Sequence, residues 1–336
     1  MSTQDMFPEL EMQAEAIAFT PTRQAGLARL EQFAARTGKH YARLRNFDFG
    51  AERRGNVSAL SPWIRHRMIT EEEVLHATLA RHSVSGAEKF VQEVFWRTYF
   101  KGWLEQHSSV WTTYQDGLMQ ALNTGVHQAE YIDAIEGRTG IDCFDHWVRE
   151  LVETGYLHNH ARMWFASIWI FTLRLPWELG ADFLLRHLID GDPASNTLSW
   201  RWVGGLHTKG KTYLARASNI AKYTGGRFNP HRQLSVLAKP LSEPILHPRI
   251  TIQMVEPVPN EDILLLVTEE DCQIETLLPH APAGRLGLLA TQGRSPLVLG
   301  DVALAFATGA IKEASGAAPS NTDWTGQIIA AAEAAG

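Results

Sequence analysis

Hydrophobic positions between residues 20 and 200 recur at three- and four-residue spacing, the period of helices buried along one face. The segments Gln24–Thr37, Glu71–Arg81, Ala87–Gln106, Tyr131–Ile135, Ile141–Thr154 and Tyr156–Leu175 carry this pattern. Thr70 followed by Glu73 supplies a capping-box start for the second of them. No series of strand-like alternations interrupts this stretch, so residues 1–235 are predicted to form an all-helical domain. Prolines 240, 244, 248, 257 and 259 then predict an extended connector over 236–260. Beyond it the pattern changes. Ile263–Val267 and Leu286–Ala290 are short apolar runs of strand length, followed by Glu269–Leu278 and by Val302–Ser315, the latter with helical spacing. Ile328–Glu333 is again helical in propensity, without an evident final cap, which fits either a fraying end or a fragment. The predicted fold class is mainly α, with a small acidic α/β module over 261–336.

A chain of 336 residues with 45% apolar and 20% charged residues can fill real cores, and its length corresponds to about two domains. Ten of the eleven tryptophans precede Val203, so the aromatic core belongs to the helical part. Cys143 and Cys272 are too far apart for a C-x-x-C pair or a four-cysteine cluster, which removes the common zinc and iron–sulfur patterns; no metal site is predicted. Met1–Glu11 lacks the basic start and apolar run of a secretory signal. The greasiest stretch, Met163–Phe171, is far shorter than the ~20 residues of a membrane span. The expected location is cytoplasmic, with no membrane partner. Charge is uneven: residues 236–336 carry a net −7 and residues 1–235 a net +1. An anionic partner therefore remains compatible with the first part of an acidic chain.

Three segments carry candidate chemistry. Glu93, Trp96 and Arg97 fall at i, i+3 and i+4, which puts a carboxylate, an indole and a guanidinium on one helical face. A plain Glu93–Arg97 surface pair beside a core tryptophan would read the same way. In Leu157–Met163, residues Asn159, Arg162 and Met163 share a face, whereas His158 and His160, two apart, should diverge and bind no metal. Asp190 and Asp192 flank Gly191, which offers close backbone approach and two acceptors for a partner such as Arg162. A capped turn is the simpler alternative. Gly205–Thr212 also fits the phosphate-loop pattern G-x-x-x-x-G-K-[ST], but no buried strand precedes it, so a nucleotide triphosphatase is not favoured.

Taken in order, Tyr41 with Arg43 and Arg45, Gly55–Ser61, Glu93–Arg97, His158–Met163, Ile189–Asn196 and Trp200–Trp202 resemble the FAD-binding helical domain of the photolyase/cryptochrome family. The resemblance runs from about Pro21 to Pro230. It implies that Tyr41, Ser58, Leu60 and Ser61 hold the diphosphate and ribityl part of FAD, with Phe90 and Arg97 nearby. Asn159, Arg162, Asp190, Asp192 and Asn196 would surround the isoalloxazine and the folded adenine. Glu93, Trp96, Asn159, Met163 and Trp202 would form the lesion pocket. Trp200 and Trp177 would be the inner and middle members of an electron-transfer chain whose outer position falls on Thr124, with Tyr131 or another tryptophan as substitutes. Lys209, Lys211, Arg216, Lys222, Arg227 and Arg232 would supply a phosphate-binding rim.

The function implied is light-driven splitting of cyclobutane pyrimidine dimers by an electron from excited reduced FAD. UV-damaged DNA would be the partner, single strands being a candidate preference. Repair of (6-4) photoproducts and blue-light photoreception without repair stay open. Three departures stand out. The family's N-terminal antenna domain has no counterpart before the match, so a second, antenna chromophore is unknown. Phe90 and His160 stand where bacterial dimer photolyases commonly carry Trp and Arg. The tail from about Leu241 is unlike the family's ordinary end and could bind a protein partner.

Overall fold

Side-chain caps set where the helices of this chain begin. In the computed structural model, which describes residues 16–125, 128–319 and 323–335, the Thr22 hydroxyl accepts the Ala25 N–H at 3.2 Å and opens α1 (Arg23–Ala34). A short α2 (Lys39–Leu44) and α3 (Ser61–Arg65) follow. The capping box forms: Thr70 Oγ1 accepts the Glu73 N–H at 3.3 Å, Glu73 Oε2 accepts the Thr70 N–H at 2.8 Å, and α4 (Glu71–Leu79) begins there. Ser83 caps α5 (Val84–Gln106), which starts three residues before the apolar pattern does. Then come α6 (Ser109–Gly125), α7 (Ala129–Ile135) and α8 (Asp142–Thr154). The last of these buries Phe144, Trp147, Val148 and Leu151 and ends at Gly155, whose φ of +67° is open to glycine and strained for other residues.

The single helix predicted over Tyr156–Leu175 is divided. Its first residues are not helical, because His158 serves as N-cap, its Nδ1 accepting the His160 N–H at 3.1 Å. From there α9 (Asn159–Ser167) runs into one π-helical turn, Ile168–Thr172. After α10 (Trp177–His187), Asp192 caps α11 (Pro193–Gly204) by accepting the Ser195 N–H at 2.7 Å, and α12 (Ala217–Tyr223) completes the helical part.

Residues 236–260 have no regular secondary structure, yet they are tied down. Leu241 and Ile250 donate their N–H groups to Gly204 and Gln106, and both terminal nitrogens of Arg201 bind the Glu243 carboxylate. β1 (Leu264–Val267) and β2 (Gly284–Gly287) pair in parallel, Leu264 opposite Gly284. The second strand lies two residues earlier than the apolar run Leu286–Ala290 predicts, and Glu269–Leu278 yields only a 3-10 turn, Ile274–Leu277. Then α13 (Asp301–Ser315) and α14 (Trp324–Ala335) follow. Met1–Glu11 lies outside the described residues, and among those described no helix is long and apolar enough to cross a membrane.

Two cores result. One gathers Trp147, Trp164, Trp169 and Trp200 from α8 to α11 with the π-turn between them. The other gathers Phe33, Tyr41, Trp63 and Phe90 and takes in Ala303, Phe306 and Ala310 of α13. Phe306 lies 6.3 Å from the Trp63 ring and 5.3 Å from His66, so the C-terminal segment shares a core with the helices. Among the enclosed ion pairs, Arg54 Nη2 donates to Glu150 Oε1 at 2.6 Å, and both side chains are about 5% exposed or less. Glu150→Ala strands the Arg54 charge, and we expect it to cost about 3–5 kcal/mol in denaturant unfolding. A loss below about 1 kcal/mol would mean that the guanidinium finds water or another partner.

Candidate functional site

A cavity of about 850 Å3 opens between the two cores, bounded by α2, α3 and α5 on one side and by α9, α10 and α11 on the other. The loop before α3 forms its first wall. Arg29 donates from Nε to Ser58 O at 2.8 Å and from Nη2 to Val57 O at 3.0 Å, and Asn56 Nδ2 donates to Leu44 O and Phe47 O. These buried side chains fix the loop that presents Ser58, Leu60 and Ser61 to the cavity beside Tyr41. The Tyr41 ring meets Phe90 edge to face at 5.0 Å, which joins this wall to α5.

On α5, Glu93 and Arg97 do not pair with each other. Glu93 is bound by Arg45 from α2's C-terminal end, while Arg97 turns to Asp192 Oδ2 at 3.9 Å. Trp96 stands at the cavity edge, 49% exposed, its ring stacked on Phe100 at 5.6 Å. The floor is more enclosed. Arg162 donates to Asp190 Oδ2 at 2.9 Å and through Nε to Leu157 O at 2.9 Å. Asn196 Nδ2 donates to Ala181 O at 2.8 Å, anchoring that amide at the cavity. The loop carrying the two aspartates needs its glycine: a Cβ on Gly191 would meet Leu185 O at 2.5 Å.

Asp192 is the electrostatic centre. Arg65 Nε, Arg97 Nη2 and Lys101 Nζ all lie 3.8–3.9 Å from its Oδ2. Burial would raise its pKa, but Arg97, Arg65 and Lys101 outweigh that and hold it well below the usual carboxylate range. Asp190 behaves alike: burial opposes ionisation and Arg162 wins. His160 is pushed down to about 4 by burial and by His158, so it is neutral near pH 7.

Every residue expected for FAD or the lesion pocket, Tyr41, Ser58, Leu60, Ser61, Phe90, Glu93, Trp96, Arg97, Asn159, Arg162, Met163, Asp190, Asp192, Asn196 and Trp202, lines this one cavity. Trp200 lines it as well. Its ring neighbours are Phe165 and Trp169, at 6.4 and 6.3 Å, whereas Trp177 lies outside the cavity with its ring 5.5 Å from Tyr114. Thr124 is exposed, and the ring of Tyr131 lies 6.2 Å from Trp169.

The expected divergence of His158 and His160 is corrected. Their rings are nearly parallel, 6.2 Å apart, and both line the cavity, because His158 is the extended N-cap rather than a helical residue. Arg45, Tyr99, Phe100 and His207 also line it; Tyr99 and Phe100 stand at helical spacing from Trp96, Arg45 belongs to the Tyr41 motif, and His207 carries no such signal. Of the proposed rim, Lys209, Lys211, Arg216, Lys222 and Arg232 are exposed and lie outside the cavity lining. Arg227 is engaged: it binds Asp48 at 3.1 Å and stacks over Phe228. The Gly205–Thr212 turn follows α11 rather than a strand, opens no helix, and uses the Gly210 N–H internally on Gly205 O. Among the described residues, no three His, Cys, Asp or Glu side chains gather as a metal site.

This arrangement can be compared with known proteins. Residues 90–234 match the family model described as the FAD binding domain of DNA photolyase. Over these residues the chain is similar to the FAD-binding domain of the photolyase/cryptochrome family. Deoxyribodipyrimidine photo-lyases of Synechococcus sp. and Thermus thermophilus are 30% and 33% identical to it. Those matches cover 60% and 58% of this chain, and 43% and 45% of the relatives. A cryptochrome structure from Synechocystis sp. aligns with a TM-score of 0.51 at 25% identity, over 62% of this chain and 44% of the other. A class III photolyase structure from Agrobacterium tumefaciens shares the fold, with a TM-score of 0.52 at 24% identity over 69% and 48%. The chain thus spans less than half the length of these photolyase/cryptochrome relatives.

FAD is the cofactor of the matched family model, and the cavity fits it. Among the described residues, Asp190 Oδ1, Arg97 Nη2 and His158 Nε2 are buried without a hydrogen-bond partner. An acceptor, a cationic donor and an imidazole nitrogen left open around one cavity are what a large ligand with a polar ring system and a diphosphate would satisfy.

Proposed function

We propose that this chain is a light-driven DNA repair flavoenzyme that splits cyclobutane pyrimidine dimers, with single-stranded damaged DNA among its substrates. The observation that carries the reading is the division of one cavity into two chemistries. Asp190, Arg162 and Asn196 make an enclosed, ionised floor, whereas Glu93, Trp96, Met163 and Trp202 gather at the same cavity, with Trp96 and its neighbour Tyr99 about half exposed. Bound FAD supplies the light absorption and the electron that opens the dimer's ring.

The chain's own residues do the rest. Tyr41, Ser58, Leu60 and Ser61 bind the diphosphate and ribityl part, and Phe90 and Arg97 close that side. Arg162 and Asp190 hold a paired charge beside the flavin ring, and Asn159 and Asn196 orient it. Trp96 and Trp202 offer aromatic faces on which flipped bases stack, the latter ring being braced by Tyr213 at 5.6 Å. Glu93 offers a carboxylate to the bases once Arg45 yields it. Trp200 and Trp177 remain the proposed electron-transfer residues. Lys209, Lys211, Arg216 and Lys222 supply cations for phosphates.

A second reading is photoreception without repair. The similarity to a cryptochrome and the occupation of Glu93 by Arg45 favour it. Light-dependent repair separates the two. Chemically reduced, FAD-loaded protein is mixed with dimer-containing oligonucleotides, single- and double-stranded, and restored thymines are measured. Restoration only under illumination is the expected result. Repair of (6-4) photoproducts alone would reassign the lesion, and no repair of either lesion would move the function to photoreception.

A further inference from the structure

Two neighbouring residues at the end of α3, Arg65 and His66, each reach the same two segments. Arg65 Nε donates to Gly191 O at 2.8 Å, and its Nη2 donates to Glu270 Oε1 at 2.7 Å. His66 places its ring between two carbonyls, Nε2 3.0 Å from Ile189 O and Nδ1 2.7 Å from Glu269 O. Both side chains are buried, Arg65 completely. The far side is fastened again: Cys272 N–H donates to His66 O at 2.9 Å, and Gln273 Nε2 donates to Met68 O. One end of this bridge is the Ile189–Asp192 loop, which carries two cavity carboxylates. The other is residues 269–273, which lie outside the family match.

We propose that Arg65 and His66 clamp the C-terminal segment to the cavity loop, and that His66 is the positioning residue through which residues 269–273 hold Asp190 and Asp192 in register for the cofactor. The proposal rests on the reading of the cavity as an FAD site. His66 itself does not line the cavity, so its effect must pass through the loop. Burial keeps His66 neutral, with one N–H, so it donates to one of the two carbonyls and packs against the other, while Arg65 donates to both segments. A buried carbonyl left without its donor seeks another, and a loop that moves to find one no longer presents its side chains at the spacing a rigid ligand requires. Because His66 lies against the ring of Phe306 at 5.3 Å, α13 keeps it seated. On this account the C-terminal segment is part of the cofactor site's support rather than an appendage.

The test compares full-length native chain, His66→Leu, His66→Asn and Leu118→Ala by FAD titration at 10 °C and by hydrogen exchange. Leu118, fully buried in α6, serves as a destabilising control away from the clamp. His66→Leu should weaken FAD binding at least tenfold, about 1.4 kcal/mol, and speed exchange in 189–192 and 269–273 together. His66→Asn, which keeps a donor, should recover part of the affinity. Leu118→Ala should lower the melting temperature yet hold affinity within twofold. The clamp is overturned if His66→Leu binds FAD within twofold of the native chain, or if Leu118→Ala weakens FAD equally. Should the native chain take up no FAD, the cofactor reading fails first, and exchange alone decides the clamp: independent exchange of the two segments in His66→Leu refutes it.

Discussion

Asp192→Asn lowers the stability of the FAD-free chain by about 3–5 kcal/mol, a large part of the ~5–15 kcal/mol that holds a typical domain together. The substitution separates two jobs of one side chain. Asparagine caps a helix about as well as aspartate, so the bond to Ser195 N–H at the start of α11 survives. What disappears is the negative charge at 2% exposure that three cations share. Arg65 keeps its bond to Glu270, but Arg97 is paired with no other carboxylate among the described residues and its Nη2 already lacks a hydrogen-bond partner, so its buried charge is the one stranded. Denaturant unfolding reads the loss as a lower midpoint at unchanged slope. A change below about 1 kcal/mol would show that Asp190 or Glu270 takes over the neutralisation.

The same charge sets a pH dependence. Folded Asp192 and Asp190 hold their protons less tightly than an unfolded aspartate, and the partly exposed Glu270 is drawn down to about 2 by Arg65 and Arg294. Groups depressed by folding stabilise the native state above the unfolded carboxylate range and lose that contribution as pH falls through their folded values. Stability measured from pH 6 to pH 2 should therefore fall steeply below about pH 4. In Asp192→Asn the fall should be shallower, since one of the depressed carboxylates is gone. An equal slope in both proteins would place the acid sensitivity elsewhere.

How much of this could be read from the sequence depends on the range of the interaction concerned. Local signals were legible: the Thr70–Glu73 capping box, the stripe of α8, and the apolar run that became β1. In α6 the stripe Val110, Tyr114, Leu118 and Ala121 stands at four- and three-residue spacing but is blurred by the threonines and Gly117 around it, so that helix is not among the elements the pattern predicts. The break before α9 escaped because His158 reads as helical until its role as a cap is known. The cavity residues were recognisable by family resemblance, yet their pairings were not. Nothing in the spacing of Glu93 and Arg97 says that each turns to a partner 48 and 95 residues away, Arg45 and Asp192. The bridge from residues 269–273 to the Asp190 loop was invisible for the same reason. Pairings of that kind are decided by which cores the chain assembles, and here the second core recruits α13 from the far end.

Trp96→Ala is the substitution that best separates the two halves of the cavity. Its ring is half exposed and, among the described residues, makes ring contact with Tyr99 and Phe100 at 5.4 and 5.6 Å, so truncation removes little core packing. Base stacking on an aromatic face is worth about 1–3 kcal/mol per base. The variant should therefore bind dimer-containing oligonucleotides about 5- to 150-fold more weakly, with FAD content and melting temperature unchanged. Glu93→Ala should move in the same direction, since it removes the acid while leaving Tyr41, Arg162 and Asp190 in place; Asp190→Asn should do the opposite and release FAD. Binding is measured by fluorescence anisotropy with damaged and undamaged strands side by side. If Trp96→Ala lost flavin, the exposed edge would belong to the cofactor, and the proposed lesion pocket would have to lie elsewhere. If affinity fell equally for undamaged strands, Trp96 would be a general nucleic-acid contact and not a reader of the lesion.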